Sequence, residues 1–381
     1  MKVDVQLPSG SGCSIEVSPE TRLSELKAAA QQHFQRRLKL TAKGRQLDLT
    51  ATVSQAGLRD GDAVDAVVQR ARMAATNKAF ALQTHGNNVV TWGGPEWGGD
   101  SSQVQAQLRN VQQIQGNDSA FAAILDSGSV VTWGNPDHGG DRGQMQEKLV
   151  NVRQIQSSSG AFAAILESGA VVTWGHPDSG GDSSQVQEQL VNVQQIQAST
   201  TAFAAILKSG AVVAWGDPRS GGDSSGVQEK LVNVQQIQAN KTAFAAILES
   251  GAVVAWGDPR SGGDSSGVQE KLVNVQQIQA SKTAFAAILE SGAVVAWGDP
   301  RSGGDSSRVQ EKLVNVRHIQ ASNKAFAAIL ASGDVVTWGD PHFGGDSSHV
   351  QAQLRNVQQI QGNDSAFAAI LDSGSVVTWG N

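Results

Sequence analysis

The chain repeats itself every 41 residues from about residue 70 onward. Phenylalanines recur with this step from Phe80 to Phe367, and seven aspartates recur from Asp100 to Asp346. The tryptophans with this spacing are Trp92, Trp133, Trp174, Trp215, Trp256, Trp297, Trp338 and Trp379. A fixed period of about 40 residues is typical of solenoids and propellers, in which each repeat packs against its neighbours. The period therefore predicts an array of one structural unit over residues 70–381.

Three short β-strands are predicted within each unit, as the copy that begins at residue 111 illustrates. The strands cover residues 111–115, 120–125 and 129–133, and Gly128 lies in the turn between the last two. Apolar residues occupy both faces of the second strand, whereas the first strand is rich in glutamine and suits a sheet edge. A small sheet that is apolar on both faces must be covered on both sides, as a propeller blade is.

The number of units depends on how the first copy is aligned. Stepping back 41 residues from Ile114 reaches Met73, so strand triplets are expected to begin near residues 70, 111, 152, 193, 234, 275, 316 and 357. Seven connectors join the eight triplets, and each contains Gly-Gly-Asp. We interpret the recurring Asp as a cap for one or two helical turns. The pattern predicts a mainly β protein with a propeller of eight 41-residue units, which would form eight blades, or seven with one surplus triplet.

The repeat resembles that of the regulator-of-chromosome-condensation family. A clear copy, residues 243–258, reads Ala-Phe-Ala-Ala-Ile-Leu-Glu-Ser-Gly-Ala-Val-Val-Ala-Trp-Gly-Asp. The shared features are an apolar strand, a short turn with glycine, and a strand that ends in Trp-Gly. The sequence departs from the family pattern where Gly-Gly-Asp-Ser-Ser replaces the Gly-Gln-Leu-Gly that follows Trp-Gly in other members. The resemblance implies a β-propeller, and propellers of this family occur in guanine-nucleotide exchange factors and in HECT-type ubiquitin ligases.

The first 69 residues follow a different pattern, in which strands surround one helix. Alternating apolar residues predict a hairpin over residues 3–17, and helical spacing from Leu23 to Phe34 predicts a helix with Thr21 in its N-cap region. Short strands follow from Leu38, and a last strand covers residues 63–68. This order resembles the ubiquitin-like β-grasp fold. We therefore expect a small α+β ubiquitin-like domain at residues 1–69 and the propeller at residues 70–381.

Two departures from the ubiquitin-like family bear on function. Conjugated members end in Gly-Gly, whereas here the last strand continues into Gln-Arg-Ala-Arg-Met at residues 69–73, so conjugation is not expected. The resemblance places the family's apolar binding patch on Thr41, Asp65 and Val67, of which two are polar. We therefore expect that ordinary ubiquitin receptors do not recognise this domain. The alternative to a ubiquitin-pathway role is a module that only packs or docks.

Composition limits the classes of partner. The chain has 29 basic and 35 acidic residues and a net charge of −6, which argues against a nucleic-acid-binding surface. Its one cysteine, Cys13, excludes an internal disulfide, and no secretory leader is recognisable at the N-terminus. No apolar run approaches the ~20 residues that span a bilayer. We expect a protein of the cytoplasm or the nucleus that makes no membrane contact.

Variation within the repeat is concentrated in the loop that follows each Trp-Gly. Two positions after the proline of this loop change from copy to copy, whereas most of the unit does not. In a propeller these loops would lie on one face, where scaffolds carry binding residues, and Arg and Trp are favoured at binding hot spots. The alternative is a solvated loop whose sequence drifts. The candidate partner-binding residues are Trp97, His138, Arg219, Arg260, Arg301, His342 and Phe343.

No pattern in the repeats predicts catalysis, a cofactor or a metal site. The serines of Gly-Gly-Asp-Ser-Ser have no recurring histidine to activate them, and no glycine-rich phosphate loop follows a strand. His342, Asp346 and His349 share one connector, but they occur together in that copy alone, so we interpret the histidines as surface residues. Calcium binding by the recurring Asp lacks the ligand spacing of an EF-hand. We predict that the protein is not an enzyme.

The pattern is best explained by a protein-binding scaffold or adaptor. The propeller would bind a protein partner, and the N-terminal domain would tether it, with ubiquitin-pathway components as candidates. The first alternative is a guanine-nucleotide exchange factor for a small GTPase, although the uniform units leave no room for the wedge-like insertion it should need. The second alternative is a lectin-like carbohydrate-binding propeller, because repeated identical sites would suit it.

Overall fold

A computed structural model describes residues 1–36, 38–42, 44–68, 71–84, 88–141 and 143–381. It divides into two compact units, Met1–Pro177 and Asp178–Asn381. Within the described residues, the first unit holds a small α+β domain and three strand triplets, and the second unit holds five triplets.

The N-terminal domain is a five-stranded mixed sheet with one helix packed on it. Its elements are β1 (Lys2–Gln6), β2 (Gly12–Glu16), α1 (Leu23–Phe34), β3 (Leu38–Ala42), β4 (Arg45–Gln46) and β5 (Ala63–Val68). The sheet order is β2-β1-β5-β3-β4, in which β1 and β5 are parallel and the other pairs are antiparallel. Alternate residues of β1 and β5 point into the core because side chains in a strand alternate between faces. The fully buried side chains include Val3, Val5, Leu26, Ala30 and Val64.

The start of α1 differs from the sequence prediction, because Thr21 does not cap the helix. The N-cap residue is Arg22, whose backbone is extended and whose side chain makes no capping hydrogen bond. The Thr21 hydroxyl oxygen instead accepts the backbone N–H of Ser18 at 2.9 Å. A threonine hydroxyl can bond a turn before a helix as readily as the helix itself, and local sequence does not decide between the two.

Eight three-stranded antiparallel sheets follow in the described part of the chain, and we call them triplets 1–8. The second strand lies in the middle of each sheet. The first strands are Arg72–Ala75, Val111–Gly116, Val152–Ser157, Val193–Ala198, Val234–Ala239, Val275–Ala280, Val316–Ala321 and Val357–Gly362. The second strands are Ala79–Gln83, Ala120–Leu125, Ala161–Leu166, Ala202–Leu207, Ala243–Leu248, Ala284–Leu289, Ala325–Leu330 and Ala366–Leu371. The third strands are Val89–Gly93, Val130–Gly134, Val171–Gly175, Val212–Gly216, Val253–Gly257, Val294–Gly298, Val335–Gly339 and Val376–Gly380.

The connectors between triplets contain short 3-10 helices. One turn, which we call the proline turn, follows the third strand and recurs at Pro95–Trp97, Pro136–His138, Pro177–Ser179, Pro218–Ser220, Pro259–Ser261, Pro300–Ser302 and Pro341–Phe343. A second segment precedes the next triplet at Gly143–Glu147, Gln187–Gln189, Ser225–Lys230, Ser266–Lys271 and Ser307–Lys312. The helical turns predicted after the recurring Asp are therefore present as 3-10 helix in these five connectors, whereas the first and last connectors have turns at the equivalent residues.

The second strand is the most buried part of a triplet, as its sequence predicts. In triplet 5 the first five residues of Ala243–Leu248 are buried, whereas the glutamine-rich strand Val234–Ala239 lies at an edge and is partly exposed. Phe244 is fully buried and its ring stacks on that of Trp256, with the centroids 5.2 Å apart. The two aromatic residues that mark the period are therefore partners in one core.

Neighbouring triplets within a unit meet through contacts that the repeat reproduces. Trp256 donates its indole N–H to the carbonyl oxygen of Gly221, the residue that ends the preceding proline turn, at 3.0 Å. Gly221 has a φ of +88°, and a Cβ there would lie 2.5 Å from the Phe244 ring, so only glycine fits. The backbone N–H of Lys241 donates to the carbonyl of Lys282 in the next triplet at 3.1 Å. The recurring Gly, Phe and Trp thus build the junction between triplets.

The mainly β fold class and the eight three-strand units are confirmed. The predicted boundary between the two domains falls on Gln69 and Arg70, which lie outside the described residues, so it stays a prediction. The alternatives of eight blades or seven also stay predictions. Every helix in the described ranges is too short or too polar to cross a membrane.

Candidate partner-binding surface

The conformation of the proline turn is fixed by its hydrogen bonds and by its proline and glycine, and the turn Pro259–Ser261 is representative. Asp258 lies at its N-cap, and the carboxylate accepts the backbone N–H of Arg260 at 3.1 Å. Proline suits the first position because the missing N–H would have had no partner there. Gly262 ends the turn with a φ of +89°. The second and third residues of the turn are the two variable positions.

The second residue of the turn is exposed in the three arginine copies. The side chains of Arg219, Arg260 and Arg301, which we call the arginine row, are 90%, 93% and 89% exposed. In each of them the guanidinium Nε lies near a carboxylate oxygen of the aspartate two residues earlier. The distance is 3.2 Å for Arg219 and 3.5 Å for Arg260 and Arg301. Exposed ion pairs contribute only about 0–1 kcal/mol, so a partner's carboxylate can replace the aspartate at small cost. His342 occupies the same exposed position in the last turn.

The third residue of the turn points inward. Ser261 and Ser302 are buried, and the Thr283 hydroxyl donates a hydrogen bond to the Ser302 hydroxyl at 2.7 Å. Trp97, His138 and Phe343 occupy this third position in other copies and are partly buried. A turn of three residues is too short to show a periodic pattern of apolar residues. The sequence therefore did not indicate that the second residue is exposed and the third points inward.

A lysine ammonium lies over each of the two aromatic rings at the third position. Lys78 Nζ is 4.6 Å from the centre of the Trp97 ring, and Lys324 Nζ is 4.8 Å from the centre of the Phe343 ring. Such cation–π contacts contribute about 0.5–1 kcal/mol at exposed sites. The seven candidates therefore separate into an exposed set, Arg219, Arg260, Arg301 and His342, and an inward set, Trp97, His138 and Phe343. Their role in binding stays a prediction.

Two exposed lysines, Lys241 and Lys282, lie beside the arginine row and are not among the residues predicted from the sequence. Backbone hydrogen bonds run from Thr200 to Lys241 at 3.0 Å and from Lys241 to Lys282 at 3.1 Å, so these residues form a row across successive triplets. Ser199, next to Thr200, donates its hydroxyl to the carbonyl of Ser220 in the proline turn at 2.8 Å. The lysines recur with the 41-residue period. The residues on either side of each lysine bond the proline turn of the same repeat, Asn240 and Thr242 to Ser261 and Ser281 and Thr283 to Ser302, which brings the lysines beside the turns.

His138 lies in a small polar cluster of the first unit. Its Nδ1 is 2.7 Å from the Ser119 hydroxyl. Burial raises the pKa of the adjacent Asp118, and the His138 charge partly opposes this rise. In triplet 5 the equivalent contact joins the hydroxyls of Thr242 and Ser261 at 2.8 Å, with no titratable group. We therefore interpret the Ser119–His138 bond as a device that holds the turn.

Groups of three or more His, Cys, Asp or Glu side chains that could hold a metal ion are absent from the ranges that the structure describes. In the connector that carries His342 and His349, the Asp346 carboxylate accepts the backbone N–H of Ser348 at 2.9 Å. This bond lowers the pKa of Asp346. The recurring aspartate therefore bonds the backbone where the connector segment begins, although the N-cap residue of the 3-10 helices there is the serine that follows it, as in Ser224, Ser265 and Ser306.

The positions of the ubiquitin-family binding patch lie together on the sheet of the N-terminal domain. Thr41 and Asp65 are paired across β3 and β5, and Val67 is an exposed residue of β5. Asp65 is also exposed, which leaves this surface polar around a single valine. An apolar partner would find little surface to bury there.

The helix of the N-terminal domain forms a buried ion pair with triplet 2 in the first unit. Lys27 Nζ is 2.8 Å from the Asp126 carboxylate, and the two side chains are 11% and 3% exposed. Asp126 lies in the turn between the second and third strands, where other copies have His, Glu, Lys, Ala or Asp. The partners are 99 residues apart in the chain, so no local pattern could have revealed the pair.

Residues 1–68 match the family model described as ubiquitin-2-like Rad60 SUMO-like. This match confirms the prediction of a ubiquitin-like domain at the N-terminus. No curated protein is significantly similar to the chain.

Several solved structures are similar to the chain. Human WBSCR16 is 16% identical, with 61% of this chain and 77% of that chain covered and a TM-score of 0.39. Prp20p from Saccharomyces cerevisiae, the yeast RCC1, is 16% identical, with 75% and 86% covered and a TM-score of 0.39. The ubiquitin of Caldiarchaeum subterraneum is 26% identical, with 18% and 92% covered and a TM-score of 0.18.

Proposed function

We propose that the protein is a non-enzymatic scaffold whose repeats bind a protein partner through the arginine row. One observation carries the proposal: three arginines occupy the same turn position in consecutive copies, and each side chain is largely exposed although it pairs with the aspartate two residues earlier. Arginine is favoured at interfaces because its planar guanidinium makes paired hydrogen bonds to carboxylates and stacks on aromatic rings. Three such groups at regular intervals suit a partner that spans several triplets.

The surroundings of the arginine row indicate the chemistry of the partner. Exposed Lys241 and Lys282 add positive charge next to the arginine turns. Between two successive turns, a cleft is lined by Pro300 and Pro341 and by charged side chains of both signs, which are Arg301 and Lys324 together with Asp299 and Asp340. We therefore infer a partner segment that carries carboxylates and at least one apolar side chain.

The N-terminal domain would link the scaffold to other components. Its ubiquitin-like family match and its buried attachment through Lys27 support a domain that is presented to a partner on the repeats. Components of the ubiquitin pathway are our candidates for that partner, and we place the protein in the cytoplasm or the nucleus. The polar surface around Val67 favours a partner other than receptors that need an apolar patch.

The test compares two triple variants of the full-length chain. In the first, the three residues of the arginine row are changed to alanine. In the second, three exposed connector lysines in the same three copies, Lys230, Lys271 and Lys312, are changed to alanine, which removes the same charge. Each protein is immobilised, and the captured proteins are quantified by mass spectrometry.

We expect the arginine variant to capture at least ~10-fold less of one set of proteins, and we expect the wild type and the lysine variant to capture that set equally. Three interface residues that each contribute about 1 kcal/mol would weaken binding by more than that. Equal losses in both triple variants would mean that net charge, and not the arginine row, determines capture. Unchanged capture by the arginine variant would refute the proposed site.

A further inference from the structure

Each junction between triplets joins two different apolar faces. The trailing face of a triplet carries alanines and an isoleucine from the second strand and a valine from the third, as in Ala325, Ala327, Ile329 and Val335. The leading face of the next triplet carries a phenylalanine from the second strand and a valine and a tryptophan from the third, as in Phe367, Val377 and Trp379. In the junction between triplets 7 and 8, all of these side chains are buried together.

The leading face of triplet 1 is exposed. Phe80, Val90 and Trp92 are 41%, 49% and 42% exposed, whereas their counterparts in triplet 2 are 0%, 3% and 4% exposed. Met73, from the first strand of the same triplet, is 62% exposed. The side chains that fill the core in other copies are therefore available at this face for another apolar surface.

The trailing face of triplet 8 is exposed as well. Ile370 and Val376 are 41% and 60% exposed, whereas their counterparts in triplet 7 are 4% and 2% exposed. A Cβ at Gly333 of triplet 7 would lie 2.9 Å from the backbone of Asn356, but a Cβ at Gly374 of triplet 8 would meet nothing within 4 Å. The trailing face of triplet 8 therefore carries the same residue types as a buried junction, but these side chains are exposed.

We propose that the protein associates head to tail with further copies of itself. In this assembly the leading face of triplet 1 in one copy is seated on the trailing face of triplet 8 in the next. The two faces are complementary because they are the two halves of a junction that the chain forms repeatedly within each unit. A second copy of this chain supplies the matching face without any new sequence.

The backbone provides a further element of recognition. The N–H of Asn323 donates to the carbonyl of Asp364 at 3.1 Å across the junction between triplets 7 and 8. If the same bond forms at the junction between two copies, the N–H of Asp364 donates to the carbonyl of Asn77 in the next copy. The junction between copies would lack the connector leucine and the proline-turn glycine that covalent junctions include, such as Leu354 and Gly344. We therefore expect association that depends on protein concentration.

An interface between two different faces leaves one free face at each end of the assembly. The assembly can therefore grow beyond a dimer until it closes into a ring or until no free protein remains. This property separates head-to-tail association from a symmetric dimer, in which both copies use the same face.

The test uses full-length variants with aspartate on one face at a time, studied by sedimentation velocity at increasing concentration. Phe80→Asp blocks the leading face and Ile370→Asp blocks the trailing face; Val90→Asp is a second leading-face variant in case Phe80→Asp misfolds. Val273→Asp is the matched control, since Val273 is 57% exposed in a connector outside both faces. Circular dichroism verifies that each variant is folded.

We expect wild type and Val273→Asp to form assemblies that grow with concentration beyond a dimer. Each blocked variant alone should sediment as a single 39.8 kDa chain. An equimolar mixture of a leading-face variant and Ile370→Asp should form a dimer and nothing larger, because one intact junction remains. A wild type that stays a single chain at every concentration would refute the proposal. So would an Ile370→Asp variant that still associates by itself, because it would then pair like faces.

Discussion

At the scale of single residues, the recurring aspartate of the connector illustrates how one carboxylate orders a backbone. Asp264 accepts the backbone N–H of Ser266 at 2.8 Å, at the start of the 3-10 helix Ser266–Lys271. This hydrogen bond lowers the pKa of Asp264 because it stabilises the charged form. The pKa is lowered by the same cause at Asp100, Asp182, Asp223, Asp305 and Asp346.

A prediction about pH follows from the sign of this shift. The folded-state pKa of Asp264 lies below its unfolded value, so the bond stabilises the fold above the ordinary aspartate pKa of about 3.9 and is lost as the pH falls through the folded value. Asp264→Ala should lower the stability at pH 7 by about 1 kcal/mol, as the loss of a cap does. Asp264→Asn keeps an acceptor oxygen that cannot titrate, so its stability relative to wild type should improve in acid. Urea unfolding at pH 7 and at about pH 3 measures both; equal pH dependence of wild type and Asp264→Asn would contradict this account.

In the proline turn, the sequence predicts the turn and its variable positions but not which side chains are buried. The variable pair was recognisable because it breaks the period, and the turn follows from Pro and Gly. The burial of Ser261 beside an exposed Arg260 was not recognisable, because it depends on the contact of the turn with the hydroxyl of Thr242. In the first and last turns the residues equivalent to Thr242 are Lys78 and Lys324, which lie over the rings of Trp97 and Phe343.

At the scale of elements, the strands were predictable and the attachment of α1 was not. Both faces of each second strand are apolar, and that pattern alone requires cover on both sides. The ion pair between Lys27 and Asp126 instead joins elements that are distant in sequence. Burying two charges is costly unless they are paired, so this pair restricts how α1 can dock on triplet 2.

Removal of either partner of this ion pair should destabilise the first unit. Lys27→Met leaves the Asp126 carboxylate buried without its partner, which costs about 3–5 kcal/mol. The double variant Lys27→Met/Asp126→Leu should recover much of that loss, because apolar side chains can fill the same space. Glu249→Gln, at the equivalent but exposed turn of triplet 5, is the control and should change little. Urea midpoints measure all three, and a Lys27→Met variant as stable as the control would contradict a structural role for the pair.

At the scale of the whole molecule, the repeats make stability nearly modular. Within each unit a triplet packs on its sequence neighbours, so stability is approximately a sum of triplet and junction contributions. Residues 242–282 and 283–323 differ at only four positions, so one copy can be removed without changing the sequence at the new junction except at those positions.

Deletion of residues 242–282 should therefore leave a folded protein. Lys241 would then precede Thr283, which preserves the Lys-Thr-Ala-Phe sequence of the intact chain. We expect the far-UV circular dichroism per residue to be unchanged and the melting temperature to fall by a few degrees, about 2–4 °C, because one junction is lost. Loss of structure on deletion would show that the triplets depend on contacts beyond their neighbours.

The sequence alone determined the period, the strand triplets, the buried second strands and the ubiquitin-like order of the first domain. These features are local, because side-chain alternation, turn glycines and capping aspartates act within a few residues. Only the tertiary structure decided which turn residues are exposed, which lysines lie beside the arginine row, and that Lys27 meets Asp126. It also decided that the faces of triplets 1 and 8 are exposed although their residue types match those of buried faces. Burial is a property of the contacts a residue makes, so repeats of nearly identical sequence can differ in exposure.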